Sequence, residues 1–331
     1  MRNRLVGRFA LTTAAIVIAA YWSAHAQQGT PGQPSEQQAA GPAGRGRGPA
    51  EPPQPTPRLA DGTVNFGRVP GEKGIWNVPY ITNMGMRLVD DEGKSLAPQP
   101  AGRGAGGGGR AGGGRAGGAP LGGGEGGGGG GRGGAKSEPW VPFQPWAAAV
   151  YDYNSVNQSK YDPEGYCLPP GGPRLMATPY PAEIIQLPEQ KRVLMIFEGA
   201  THIWREIFMD GREHPKGDAL NPTYLGHSVG HYEGDALVVD VVGFNEATWL
   251  DYFGHPHTEQ LHIVERFTRP NKATLHYEAL VDDPGAYTKP FKMAWDLPWN
   301  ARGELTEYIC QENNKYLQRL TDDFGKPLFG K

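Results

Sequence analysis

From residue 183 onward, apolar and polar positions alternate in short runs, separated by turn residues, and this pattern predicts successive β-strands. The runs cover 184–187, 193–198, 202–209, 228–232, 237–244, 261–268, 274–282, 291–297 and 304–310. Asp210-Gly211 and Glu233-Gly234-Asp235 supply turn chemistry between runs. Such spacing, with no helical pattern in between, predicts an all-β fold, an antiparallel up-and-down β-barrel of lipocalin or calycin type. One short helix, over 146–160, precedes the strands, because Ala147, Ala148 and Ala149 are strong helix formers. The run from Cys167 to Pro173 carries a Pro-Gly and a Gly-Pro step that force an irregular connection. A second short helix is expected over 313–320.

Several strands carry charge inside apolar runs. Successive strand residues face opposite sides, so one of Arg205 and Glu206, and one of Glu265 and Arg266, must point inward. An inward charge needs a partner or a wet cavity. Two readings follow: paired ions that hold the wall together, or a polar floor for a ligand formed by Arg205, Glu265 and Arg266, with Trp249 stacking on it. Trp249, Trp295 and Trp299 serve equally well as core.

The N-terminal residues divide into a basic zone (Arg2, Arg4, Arg8), an apolar stretch over 9–22, and Ala24-His25-Ala26. This is the layout of a signal peptide cleaved after Ala26, leaving Gln27 as the mature N-terminus. The alternative is an uncleaved anchor, but the apolar stretch falls short of the ~18–20 residues that span a bilayer. A periplasmic or secreted protein with no stable membrane anchor is expected. Residues 27–57 are rich in Gly, Pro and Gln and read as a disordered tether. Residues 101–135 are nearly pure Gly with scattered Arg, a low-complexity insertion within a single β-rich domain spanning 58–331. These tracts hold 28 of the 50 glycines and 9 of the 31 prolines.

The net charge of −3 creates no field that would draw nucleic acid. The two cysteines, Cys167 and Cys310, either pair in an oxidising compartment or stay as buried thiols.

Candidate chemistry concentrates at 251–259. His255, His257 and Glu259 are spaced to share one face of an extended segment. They could bind a divalent transition metal, act as acid and base on an organic ligand, or make structural hydrogen bonds. A catalytic set of His227, Asp251, His257 and Glu259 requires the loops before the strands at 228–232 and 261–268 to meet at one mouth of the barrel. In an up-and-down meander those strands run parallel, so their leading loops do open at one end. No nucleophile elbow, phosphate loop, dinucleotide fingerprint or haem attachment motif is present.

The motifs Pro222-Thr223-Tyr224-Leu225-Gly226-His227-Ser228, Glu233-Gly234-Asp235, Leu237-Val238-Val239-Asp240 and Gly243-Phe244-Asn245-Glu246 continue into Thr248-Trp249-Leu250-Asp251 and Gly254-His255-Pro256-His257-Thr258-Glu259. Together they resemble the signature of a widespread, uncharacterised family of secreted bacterial proteins. The likeness covers about 140–313 and implies export without implying a reaction. Gly74-Ile75-Trp76, ahead of the strands, is similar to the Gly-x-Trp start of lipocalins. Two functions therefore stand side by side. One is an extracytoplasmic hydrolase, lyase or isomerase acting on a small molecule; the other is a non-catalytic, lipocalin-like binding protein.

Overall fold

A computed structural model describes residues 52–98, 138–157, 160–312, 314 and 326. The expected signal peptide, the tether up to residue 51 and the Gly-rich insertion lie outside the described residues, as does nearly all of the expected helix at 313–320.

The chain builds a ten-stranded sheet, nine strands of which close on themselves as a barrel. In chain order the strands are β1 (Ile75–Trp76), β2 (Leu88–Val89), β3 (Ala182–Leu187), β4 (Arg192–Phe197) and β5 (Trp204–Phe208). They continue as β6 (His227–Glu233), β7 (Ala236–Val242), β8 (His262–Asn271), β9 (Thr274–Asp282) and β10 (Phe291–Asn300). β3 to β10 follow one another around the wall. The two-residue β1 closes it, with Trp76 opposite Ala182 on one side and Trp299 on the other. β2 lies on the free length of the β10 edge. A 13-residue helix, α1 (Pro145–Asn157), precedes β3, and a single turn, α2 (Gly199–His202), separates β4 from β5.

Two expectations need correction. The barrel is not purely antiparallel, because β5 and β6 run parallel, with Ile207 opposite Ser228 and Phe208 opposite Val229. A hairpin cannot join parallel neighbours; a crossover of a dozen or more residues can, and the connection 209–226 is long enough. Second, 304–310 forms no strand. Side chains and the backbone hold this stretch without a ladder. Thr306 N donates to Glu198, Tyr308 bonds Tyr180, and Cys310 is joined to Cys167. The folded body also begins ahead of Arg58: Thr56 Oγ1 donates to the Arg269 carbonyl and Lys272 N to the Gln54 carbonyl.

Strand alternation fills the lumen. Val193, Met195, Ile207, Leu237, Val239, Ile263, Phe267, Tyr277, Met293 and Leu297 are fully buried on the inner face. Arg205 and Glu265 point inward and pair with each other. Arg205 Nε also donates to Ser228 Oγ, and Tyr277 OH donates to the second Glu265 oxygen at 2.8 Å. Arg266 and Glu206 take the outer face and pair there with Glu233 and Arg192. The inward charges therefore meet one another inside a packed barrel. Trp295 belongs to the same core, its indole donating to the Met176 carbonyl.

One end of the barrel is shut by Arg269, buried between the rings of Trp76 and Trp299 and donating to the carbonyls of Asn65, Gly67 and Lys272. At the other end, α1 and residues 138–144 pack against the loops 243–261 and 283–290. Phe143 bridges Tyr287, and Gln144 N bonds the Ala286 carbonyl. Among the described residues no helix is long and apolar enough to cross a membrane.

Candidate active site

The end covered by α1 carries a buried polar cluster built from four separate segments. The turn at 251–255 places Asp251 and His255 four residues apart. Gly254 takes a φ of +88° there, and a Cβ at that position would collide with Asn154 of α1, so the turn is specific to glycine. Asp251 is fully buried and accepts four hydrogen bonds. The donors are the backbone amides of Met84, Gly254 and His255, and His255 Nδ1 at 2.7 Å. Burial alone would raise its pKa, but the imidazole and the amides outweigh burial and hold the carboxyl below its ordinary value. An ionised carboxylate only accepts, so His255 Nδ1 carries a proton and Nε2 is the ring's reactive edge.

The His255 ring packs against Tyr151 and Phe143, with centroids 4.4 and 5.3 Å away. Its Nε2 faces Glu138 Oε2 at 3.9 Å. Neither of these two buried atoms has a hydrogen-bond partner among the described residues. The other Glu138 oxygen is fully engaged, accepting from Tyr151 OH at 3.0 Å and from Asn83 Nδ2. Burial, followed by the neighbouring Glu138 charge, raises the Tyr151 phenol well above its ordinary pKa, so it remains a donor.

The short 3-10 turn Met84–Arg87 wraps this cluster. Its Gly85 lies against Glu138 so closely that a Cβ there would sit 1.6 Å from Oε2. Asn83, at the start of the turn, also lines an open cleft of about 470 Å³ together with Tyr80, Arg87 and Ser95. A neighbouring cleft of about 350 Å³ shares Arg87 and reaches His276 and Asp296. The first of these clefts thus borders the buried cluster through Asn83.

The structure brings together Asp251 and His255, and Arg205 and Glu265. It does not bring the rest into one site. His257, two residues from His255, turns away to share a hydrogen bond with Thr248 Oγ1 and to bond the Thr258 carbonyl. Burial lowers its pKa, which keeps the ring neutral. Glu259 is exposed, so the His255–His257–Glu259 face expected of an extended segment does not form. Among the described residues no group of three or more His, Cys, Asp or Glu is arranged to hold a metal ion. Trp249 is half-buried, and Arg266 lies on the outer wall. β6 and β8 do start at the same end of the barrel, but His227 points outward and bonds His214, sharing no partner with His255.

Glu138, Tyr151 and Asn83 were not singled out in the sequence. Their segments carry no motif, and only the packing of 138–144 and α1 over the barrel end joins them to Asp251. In comparisons with known proteins, the chain matches no family model, no curated protein and no solved structure.

Proposed function

We propose that this is an exported β-barrel protein whose working site is the acid–base centre of Asp251, His255 and Glu138. It would act on a small molecule admitted from the cleft beside Asn83. The observation that carries this reading is the pair of unpartnered buried atoms, His255 Nε2 and Glu138 Oε2, held 3.9 Å apart. Leaving a buried polar atom unpaired costs about 1–3 kcal/mol. A cluster that existed only to hold the fold would gain by closing that gap. Asp251 orients His255 as a base, and Glu138 stands across from it to accept or return a proton. The reaction class this supports is hydrolysis, elimination or isomerisation by proton transfer. The packed lumen argues against a ligand held inside the barrel. The strand Ile75–Trp76 that closes the wall, preceded by Gly74, supports a lipocalin-like fold all the same.

The test is turnover of a panel of esters, lactones and enolisable carbonyl compounds by the wild type, His255→Asn and Glu138→Gln. Each variant should fold with a melting temperature within a few degrees of wild type and lose at least about 100-fold in rate, the usual contribution of a positioned acid or base. Wild-type turnover that persists in both variants refutes the proposal. So does absence of turnover combined with a large loss of stability in both, which is the signature of a purely structural cluster.

A further inference from the structure

A second titratable cluster lies on the outer wall, away from the proposed site. His214, from the crossover 209–226, reaches back to the strands. Its Nε2 lies 2.8 Å from Asp240 Oδ1 of β7, and its Nδ1 lies 2.8 Å from Nδ1 of His227, the first residue of β6. The other Asp240 oxygen meets Nε2 of His262, the first residue of β8, at 3.0 Å. These contacts tie the crossover to three strands.

Proton bookkeeping defines what the cluster can do. As a carboxylate, Asp240 only accepts, so the facing nitrogens of His214 and His262 carry protons. The Nδ1–Nδ1 contact needs one hydrogen between two nitrogens. It survives when the His214–His227 pair is neutral or carries a single charge. A second charge puts a hydrogen on both nitrogens, and the contact becomes a repulsion.

The crossover leads directly into the β5–β6 seam. That seam holds only two residue pairs, the fewest between any neighbours from β3 to β10. Immediately behind it lie Ser228 and the buried guanidinium of Arg205.

We propose that His214, His227, His262 and Asp240 form an acid-operated latch that keeps the crossover on the barrel wall at neutral pH and releases it, with the β5–β6 seam, on acidification. Charges of both signs surround the latch, with the positive one nearest the imidazole pair. Arg212 stacks on Phe208, which stacks in turn on His227, so a positive charge already stands near the imidazole pair. Asp210 holds Arg212 in place, and Glu213 pairs with Lys216 in solvent. On the strand side, Asp282 is opposite His262 in register, and His231, farther along β6, pairs with Glu233. Burial, then His214 and Arg212, lower the pKa of His227. The closed form therefore resists the last proton and the open form takes it, so opening lies on the acid side of the ordinary histidine range.

Amide hydrogen exchange of the full chain, corrected for intrinsic rates, tests the latch at pH 7.5 and 5.0. In the wild type, protection at 227–229 should fall at least tenfold on acidification while β9 and β10 keep theirs. In His214→Gln, whose amide does not titrate, protection should not vary with pH. A wild-type seam insensitive to pH overturns the proposal, as does an equal acid response in His214→Gln. An NMR titration of the wild-type imidazole Cε1–H signals guards against a variant that fails to fold. The second proton should enter the His214–His227 pair within one pH unit of the seam's opening, and a wider separation overturns the latch.

Discussion

Replacing Arg205 by Met separates a structural ion pair from a ligand floor. The Arg205 and Glu265 side chains are 3% and 1% exposed, so neither can turn to water when its partner is lost. In Arg205→Met, the Glu265 carboxylate keeps a single donor, Tyr277 OH, and Ser228 Oγ loses its guanidinium partner. Breaking a buried pair from one side typically costs about 3–5 kcal/mol, most of it the penalty of the uncompensated charge. Adding Glu265→Gln removes that charge while preserving an acceptor for Tyr277, and should recover at least about 2 kcal/mol of the loss. The pH dependence has a definite sign. A buried carboxylate without a counter-ion has its pKa raised above the unfolded value of about 4.3. Its favourable contribution is therefore complete below that value and lost as pH rises. Arg205→Met should be closer to wild type at pH 5 than at pH 8, and the double variant should lack this difference. Urea denaturation at both pH values measures it, with unchanged m-values as the check that folding stays two-state. A loss below about 1 kcal/mol, or a deficit that neither acid nor Glu265→Gln relieves, refutes the ion-pair account.

The Cys167–Cys310 bond closes a loop of 143 residues, for which chain entropy gives about 5 kcal/mol before any native strain is subtracted. Reduction should lower the urea midpoint accordingly, whereas an unchanged midpoint would mean that the bond constrains little. His257 has a pKa lowered by burial, so its proton is taken up preferentially by the unfolded chain. Stability should fall as pH drops below the unfolded histidine value of about 6.5, and His257→Gln should flatten that part of the stability–pH curve. Gly85→Ala places a methyl group where Glu138 Oε2 stands and should cost about 1–3 kcal/mol by overpacking, read as a drop in melting temperature. A neutral outcome would show that Glu138 swings clear at no cost.

Strand alternation, a property of sequence alone, established much of this molecule. The period-two pattern located eight of the ten strands, and it required one member of each adjacent charge pair to face the lumen; parity makes those members Arg205 and Glu265. The Gly234-Asp235 turn was equally legible, because few residues other than Gly adopt its φ of +59°. Tertiary structure alone decided the rest. The parallel β5–β6 pairing depends on where the crossover 209–226 lies down, and no local pattern encodes that path. β1 and β2 are two residues each, too short for a period to register, yet one of them closes the barrel. Residues 304–310 have strand-like composition but reach no free edge, because β1 and β2 already occupy the outer side of β10. The same limit governs the sites. Asp251 and His255 are four residues apart, and one turn joins them, so they could be nominated from sequence. Glu138, Tyr151 and Asn83 lie between 100 and 172 residues from that pair along the chain. His214 meets Asp240 across the seam in the same manner. Contacts made by folding between distant segments depend on the path of the whole chain, and local spacing carries no record of that path.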